Sequence, residues 1–237
     1  MIKRTAFVLL AALGATAAPA ASQSITSPYD FVEHSMAFWT FGTAVFTDRG
    51  ALEVGPGSGY GGGVGFSARI SGPFNVDARV AYLPTSRRVF QTVPIDSATV
   101  RKNPRAGLEQ IGTADLSVLI MDASLRFDIT GPRTWYRLQP YALKGAGGVL
   151  RVSSENRIEE ELTEEPGLLV RFQNGFTGHV GGGIEWHLSD RFTVRADARD
   201  ILWKIHIPEG FFVDDRNVDE GQWVQTAHLS LGVGFRF

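Results

Sequence analysis

The feature that most constrains this chain is a repeating pattern: segments of alternating apolar and polar residues are joined by connections that are long and short in turn. Alternation with a period of two places successive side chains on opposite faces of a β-strand. No helical period is sustained along the sequence. The pattern therefore predicts an all-β fold.

Eight strands follow from this alternation. The predicted strands are Met36–Phe46, Gly59–Ile70, Phe74–Leu83, Asp115–Asp128, Trp135–Val149, Gly175–Leu188, Arg191–Ile205 and Gln222–Phe237. Most of them exceed the roughly 9 to 11 residues that a tilted strand needs to cross a bilayer.

The connections differ in length in a regular way. The long ones are Thr47–Ser58, Pro84–Ala114, Leu150–Asn174 and His206–Gly221, and the short ones are Ser71–Pro73, Ile129–Thr134 and Ser189–Asp190. Short turns on one rim and long loops on the other are typical of a transmembrane barrel. We therefore expect residues 36–237 to form an eight-stranded antiparallel up-and-down transmembrane β-barrel, with short periplasmic turns and long extracellular loops.

The N-terminus has the features of a signal peptide. Lys3 and Arg4 form a positive region, Ala6–Ala15 is a short apolar run, and Ala18–Ala20 is a small-residue cleavage site. The sequence predicts a cleaved signal peptide over residues 1–20 and a short lead-in over residues 21–35. Because no other stretch has the apolar length of a spanning helix, insertion into a membrane requires a closed barrel. The predicted location is the cell outer membrane.

The charged residues indicate which face of each strand points inward. In the last strand, the apolar face consists of Leu229, Leu231, Val233, Phe235 and Phe237. The residues predicted to form a charge network in the lumen are Arg69, Asp77, Arg79, Asp122, Arg126, Asp128, Lys144, Glu185, Arg195, Asp197 and Arg199. This nearly balanced set suits a narrow interior in which charges are paired.

A water-soluble barrel with an apolar interior would show the same alternation, and the balanced charges are what place the polar face inside. The first and fifth predicted strands alternate too poorly for their facing to be read. Eight strands enclose an interior just wide enough for side chains. We therefore expect an Arg/Asp network to plug the lumen.

Three motifs in the second half of the chain form a recognisable set. They are the final Phe237 with apolar residues at alternate positions before it, Gln139–Tyr141 followed by Gly145, Gly147 and Gly148, and the run GHVGGGIEWHLSDRFTVRADARD at Gly178–Asp200. Together they resemble the outer-membrane β-barrel superfamily of OmpA, OmpX and OmpW-like proteins. The resemblance implies that the barrel-assembly machinery reads the face from Leu229 to Phe237, and that outer-membrane lipid and lipopolysaccharide are partners. It is specific for architecture, because this fold hosts unrelated functions.

The histidines do not predict a metal site. His179 and His187 lie about 26 Å apart along one strand, so they cannot share an ion. Glu185 and His187 could hold a metal with a third ligand, but a hydrogen-bonded network in a polar lumen explains them more simply. We predict no metal and no cofactor.

His228 and Ser230 share one face of the last strand and raise the alternative of a lipid-modifying hydrolase. A nucleophile needs a base within hydrogen-bond reach and a third group that orients the base. No such acid can be assigned, and the pair is predicted to face inward. The sequence therefore predicts no catalytic residue.

The long loops differ in charge. The second carries Arg87, Arg88, Arg101, Lys102 and Arg105; the third carries Glu155, Glu159, Glu160, Glu161, Glu164 and Glu165; the fourth carries Asp214, Asp215, Asp219 and Glu220. Such loops could bind lipopolysaccharide phosphates, divalent cations or an unknown extracellular ligand. Pairing between opposite loops and solvation is the simpler interpretation. A net charge of -2 gives no reason to expect nucleic acid as a partner.

These features predict a non-enzymatic outer-membrane protein that serves envelope integrity or surface interaction through its loops. The alternatives are a narrow channel, a transporter of small hydrophobic molecules, a lipid-modifying hydrolase and a soluble binder. The charges predicted for the lumen oppose an open channel, and no apolar stripe is recognisable in the predicted lumen to support hydrophobic transport.

Overall fold

A computed structural model describes residues 27–50, 52–53, 55–93, 99, 103, 105–153, 174–206 and 221–237. These residues form the strands β1 (Tyr29–Phe31), β2 (Met36–Thr47), β3 (Gly59–Ser71), β4 (Phe74–Thr92), β5 (Leu108–Asp128), β6 (Arg133–Trp135), β7 (Leu138–Arg151), β8 (Gly175–His187), β9 (Phe192–His206) and β10 (Gly221–Arg236). No helix in this part of the chain is long and apolar enough to cross a bilayer. The predicted signal peptide lies outside the described residues.

Eight of these strands close into a ring. Its order is β2, β3, β4, β5, β7, β8, β9 and β10, and β10 pairs with β2 to complete it. Every neighbouring pair is antiparallel. Closure gives every backbone edge a partner, which a membrane-spanning sheet requires. The predicted eight-stranded, antiparallel, up-and-down barrel is confirmed.

The register rises steadily around the ring. Paired residues can be followed from Met36 at the start of β2, through Lys144 in β7 and Asp200 in β9, back to β2 at Phe46, ten residues from Met36. Such an offset tilts the strands, typically by about 35–45°. A row of paired residues therefore climbs from the short-turn rim, where Met36 lies, toward the long-loop rim.

Strands β4 and β5 extend well beyond their predicted bounds. Most of the predicted loop Pro84–Ala114 is strand, because the two strands stay paired out to Thr92 and Leu108. Pro84 lies past the last residue pair between β3 and β4, where the unpaired edge tolerates proline. The prediction of a long loop here was wrong, and the segment is a hairpin that projects from the long-loop rim.

The fifth predicted strand, Trp135–Val149, is divided in two. β6 ends at Trp135 and β7 begins at Leu138, its register partner. Between them Tyr136 and Arg137 have φ of 48° and 63°, the two left-handed residues that a type I′ hairpin requires. β1 pairs with β6 as a small extension at the short-turn rim.

The outer wall of the ring is apolar. On β10, His228, Ser230 and Arg236 are buried in the lumen. The residues of the predicted apolar face are exposed, namely Leu229, Leu231, Val233, Phe235 and Phe237. An exposed apolar surface that continues around a molecule calls for a hydrophobic surrounding.

Aromatic side chains form two belts on this wall. The belt near the short-turn rim contains Phe38, Phe74, Phe127, Trp186, Phe192 and Phe235, and the belt near the long-loop rim contains Phe46, Tyr60, Tyr82, Phe176 and Trp223. Along β8, Trp186 and Phe176 are ten residues apart. A tilted strand of about that length crosses the apolar band of about 25 Å expected for a membrane barrel.

Candidate functional site

Nine of the eleven charged residues predicted for the lumen lie together inside the barrel, toward the short-turn rim, and all nine are buried. They are Asp77, Arg79, Asp122, Arg126, Asp128, Glu185, Arg195, Asp197 and Arg199. Strands β4, β5, β8 and β9 supply them from inward positions. Side chains from opposite walls therefore meet across the lumen.

Asp122 joins two guanidinium groups near the middle of the barrel. It accepts hydrogen bonds from Arg79 Nε at 2.8 Å and from Arg199 Nη1 at 2.9 Å. Arg199 Nε also donates to Asp197 at 3.3 Å. The chain of ion pairs thus crosses from β4 through β5 to β9.

Arg195 is the central cation of the network. Its Nη2 donates to Asp77 at 2.5 Å, and its Nε donates to the Tyr141 hydroxyl at 2.7 Å and lies 3.3 Å from Asp197. The guanidinium carbon lies 4.3 Å from the ring centroid of Trp39 and 4.7 Å from that of Tyr141. Arg195 is thereby held by two carboxylates and two aromatic rings.

A second group of charges lies nearer the short-turn rim. Glu185 accepts hydrogen bonds from Arg126 and Arg236, each at 2.8 Å. Arg126 also donates to Asp128 at 2.6 Å, and the Gln139 amide donates to Asp128 at 2.9 Å. These bonds close the lumen below the Arg195 group.

Lys144 does not belong to the network. The inward positions of β7 around it are occupied by the buried side chains of Tyr141 and Leu143, so the next residue along the strand faces outward. Lys144 is accordingly exposed on the outer wall. The prediction that Lys144 lies in the lumen was wrong, because a charge does not identify the inward face of a strand that alternates poorly.

Two further arginines, Arg69 and Arg236, lie near the short-turn rim. Arg69 lies at the mouth of the lumen, partly exposed, and donates to the Val32 carbonyl at 2.9 Å. Arg236 also faces inward and pairs with Glu185, although the predicted network does not include it. With Arg236 included and Lys144 removed, cations and carboxylates remain nearly balanced.

The half of the lumen toward the long-loop rim is filled mainly by apolar side chains. They are Trp39, Phe41, Val45, Ala81, Leu83, Leu116, Val118, Ile120, Val149, Ile201, Trp203 and Val224. The prediction that the lumen lacks an apolar stripe was wrong. Charges identify an inward face only where polar and apolar residues alternate, and Val118–Met121 is apolar on both faces. The cavity left in this layer is about 20 Å³, room for a single water-sized group.

The connection between β2 and β3 covers this apolar layer. Leu52 is fully buried, and Pro56 lines the small cavity. Glu53 accepts hydrogen bonds from Arg88 and from Arg105, the latter at 2.6 Å. Two of the basic residues predicted to lie in the second loop therefore fasten the first connection to the β4–β5 hairpin. Arg101, Lys102 and the acidic residues of the third and fourth loops lie outside the described residues.

Glycine on the inward face makes room for the large side chains. A Cβ atom at Gly65 would overlap the indole ring of Trp39, and one at Gly183 would overlap the Tyr141 ring. The interior of an eight-stranded barrel is just wide enough for side chains, so large ones cannot occupy every inward position. Arg195 can stack between Trp39 and Tyr141 because these two glycines leave their space to the rings.

His179 resembles part of a catalytic triad but lacks its geometry. Ser124 Oγ lies 2.7 Å from His179 Nε2, and Asp122 approaches the same ring nitrogen at 3.8 Å. A triad needs its acid on the other nitrogen, where it orients the base. His179 Nδ1 has no hydrogen-bond partner among the described residues.

The pair His228 and Ser230 is also not arranged for catalysis. Ser230 donates to the Thr43 hydroxyl at 3.1 Å. Within the described part of the chain, neither ring nitrogen of His228 has a hydrogen-bond partner. The base is therefore not bonded to the nucleophile, and the same residues contain no group of three side chains that could hold a metal ion.

A closed ring with an apolar outer wall, two aromatic belts and a charged interior defines a transmembrane β-barrel. In such barrels the short turns face the periplasm and the long loops face the exterior. The sequence matches the family described as outer membrane protein beta-barrel domain over residues 7–237. The chain belongs to this family, and its location is the outer membrane.

Several solved outer-membrane barrels are similar to this chain. Neisserial surface protein A has 13% sequence identity and a TM-score of 0.47, over 89% of this chain and 98% of that chain. The N-terminal β-barrel domain of Pseudomonas aeruginosa OprF has 13% identity and a TM-score of 0.43, over 86% and 98%. Ail of Yersinia pestis has 17% identity and a TM-score of 0.39, over 86% and 97%. No curated protein matches the sequence.

Proposed function

We propose that this protein is a closed, non-enzymatic outer-membrane barrel that acts through its extracellular surface, in envelope integrity or surface interaction. The observation that carries the proposal is the filling of the lumen. An ion-paired layer occupies the periplasmic half, and an apolar layer occupies the extracellular half. A hydrated solute or ion would have to disrupt both layers to pass.

The two layers oppose passage for different reasons. An ion entering the lower layer must displace side-chain charges that already neutralise one another at 2.5–2.9 Å. An ion entering the upper layer loses its water among mostly apolar side chains, and the few hydroxyl and imidazole groups there, such as Thr177 and His228, cannot replace its hydration shell. The remaining cavity of about 20 Å³ is also too small for a transported hydrophobic molecule. The channel and transporter alternatives are therefore disfavoured.

The part of the protein that remains available for interaction is the extracellular end. The β4–β5 hairpin projects beyond the rim, and its contacts through Glu53 order the first connection. An ordered projection has already lost the conformational freedom that binding would otherwise remove. We expect lipopolysaccharide to be a partner, because its sugars and phosphates surround the extracellular end of an outer-membrane barrel.

The absence of an enzymatic role is supported by the site geometry. Ser230 lies inside the lumen, hydrogen-bonded to Thr43, and is buried away from lipid. A lipid substrate would have to enter between paired strands to reach it.

We also expect the outward face from Leu229 to Phe237 to act as the signal read by the barrel-assembly machinery. Phe237, at the end of this face, stacks on Phe38 with ring centroids 5.7 Å apart.

Purified protein reconstituted into planar bilayers should show no steady single-channel current, because both lumen layers are filled. Insertion is verified by the heat-dependent gel mobility of protein recovered from the same lipid. A general porin added afterwards to the same bilayer shows that the assay reports channels. Large, steady currents from the purified protein alone would contradict the closed-lumen proposal.

A further inference from the structure

Lys144 stands near the middle of the lipid-facing wall. It is exposed on β7, and its register partners are Leu125 and Val180. On β8, Val180 lies four residues from Phe176, in the belt near the long-loop rim, and six from Trp186, in the belt near the short-turn rim. A lysine at this depth is costly unless it finds a partner. Among the described residues, Lys144 has no ion pair or hydrogen bond.

Asp200 provides the opposite charge on the same wall. It faces outward from β9, and it pairs in register with Val180, so one strand separates it from Lys144. The Gln225 amide donates to Asp200 Oδ2 at 2.6 Å, while Asp200 Oδ1 is shielded from solvent and has no hydrogen-bond partner in the described part of the chain. The wall thus carries a cation on one side of β8 and an anion on the other.

The wall around Val180, which lies between these two charges, has few large side chains. Outward positions on and beside β8 carry small side chains, namely Ala142, Ala146, Gly178, Gly182, Ala196 and Ala198. Small residues let two backbones approach closely within a membrane, where packing and polar contacts, rather than burial from water, drive association. A second protein surface can therefore approach this wall closely, and the partly exposed Asp200 side chain reaches it by turning outward.

We propose that the β7–β9 wall is a contact surface for a second copy of this chain within the outer membrane. A twofold axis along the membrane normal near Val180 would bring Lys144 of each copy opposite Asp200 of the partner subunit. A twofold interface uses the same patch on both copies, so one cation and one anion beside the axis make it self-complementary. Two intermolecular ion pairs then form around a core of small residues.

The heights of the two groups suit this arrangement. The register row climbs toward the extracellular rim from β7 to β9, so Asp200 lies above Lys144. A lysine side chain in a membrane extends along the wall toward an interface, and extension toward the long-loop rim brings its ammonium group to the level of Asp200 in the partner subunit. A lipid phosphate fits less well, because phosphate groups lie at the interface, beyond the belt that contains Phe176.

Single cysteines test the position of the axis, since the chain has none of its own. Val180→Cys places a thiol at the proposed axis. Val64→Cys is a matched control four strands away around the ring. Val64 and Val180 are 59% and 60% exposed. Each lies four residues from an aromatic residue of the belt near the long-loop rim. On mild oxidation of outer-membrane fractions, we expect Val180→Cys to form covalent dimers at least about tenfold faster, because Cβ atoms about 4 Å apart suit a disulfide. Equal rates, or no dimer from Val180→Cys, would overturn the proposal.

Charge reversal in the Val180→Cys background tests the ion pairs. Lys144→Asp and Asp200→Lys each set like charges across the axis and should slow cross-linking about tenfold. The double reversal should restore the rate. Heat-dependent gel mobility confirms folding. If a charge reversal prevents folding, Lys144→Met is used in its place, and slower cross-linking is again expected. Unchanged rates in folded variants would show that Lys144 and Asp200 do not join two copies.

Discussion

Replacing Arg195 with methionine is expected to lower the free energy of unfolding by about 3–5 kcal/mol, the cost of breaking a buried ion pair by removing one partner. Arg195 neutralises Asp77 and Asp197 and fills the space between two aromatic rings. Methionine fills part of this space but leaves both carboxylates without their shared cation. Urea unfolding in lipid or detergent, followed by tryptophan fluorescence and gel mobility, measures the change.

Arg191→Met is the matched control for this variant. Arg191 is exposed at the short periplasmic turn before β9, so its replacement should change stability by no more than about 0.5 kcal/mol. A loss in Arg195→Met no larger than in Arg191→Met would mean that the buried network contributes nothing to stability. Adding Asp77→Asn to Arg195→Met should recover part of the loss, because one unpaired buried charge is then removed.

Gly65→Val is expected to destabilise the barrel by about 3 kcal/mol or to prevent folding, at the upper end of what overpacking usually costs. A Cβ atom at Gly65 overlaps the Trp39 indole, and this ring is also the surface on which Arg195 stacks. Displacing Trp39 therefore disturbs the apolar and the charged layers together. The fraction of heat-modifiable, protease-resistant protein in the outer membrane measures the effect.

The control for this substitution is Gly42→Val, on the neighbouring strand. Gly42 faces outward, and a Cβ there meets only the Gly61 carbonyl oxygen at 4.0 Å, an ordinary contact. Valine also favours strands, so Gly42→Val should fold at least as well as the wild type. If both variants folded equally well, the inward glycines could not be the residues that make room for the aromatic rings.

The strand number, the antiparallel order and the outward apolar face of β10 could be predicted from the sequence. Each depends on local information, namely a period of two and the length of the connections between strands. Nine of the predicted lumen charges lie together in the structure for the same reason, since their strands alternate cleanly. The β4–β5 hairpin was missed because its extended part is polar and contains Pro84, which is typical of a loop.

The apolar upper lumen could not be predicted, because in that region the strands are apolar on both faces and the alternation disappears. Lys144 was misplaced for the opposite reason. A charge alone does not mark the interior, and the side on which Lys144 lies is decided by the parity of β7, which the turn at Tyr136 and Arg137 sets. Neither error could be corrected without knowing how the strands are paired.

The amino-acid pattern alone was sufficient to establish a closed antiparallel barrel, because period-two alternation and unpaired backbone edges admit few other solutions in a membrane. Which side chains meet inside it was decided by the tertiary structure. Contacts such as Arg195 with Asp77, 118 residues apart, depend on the register that accumulates around the ring. The same register places Lys144 and Asp200 on either side of one strand, an arrangement that their separation in the sequence does not reveal.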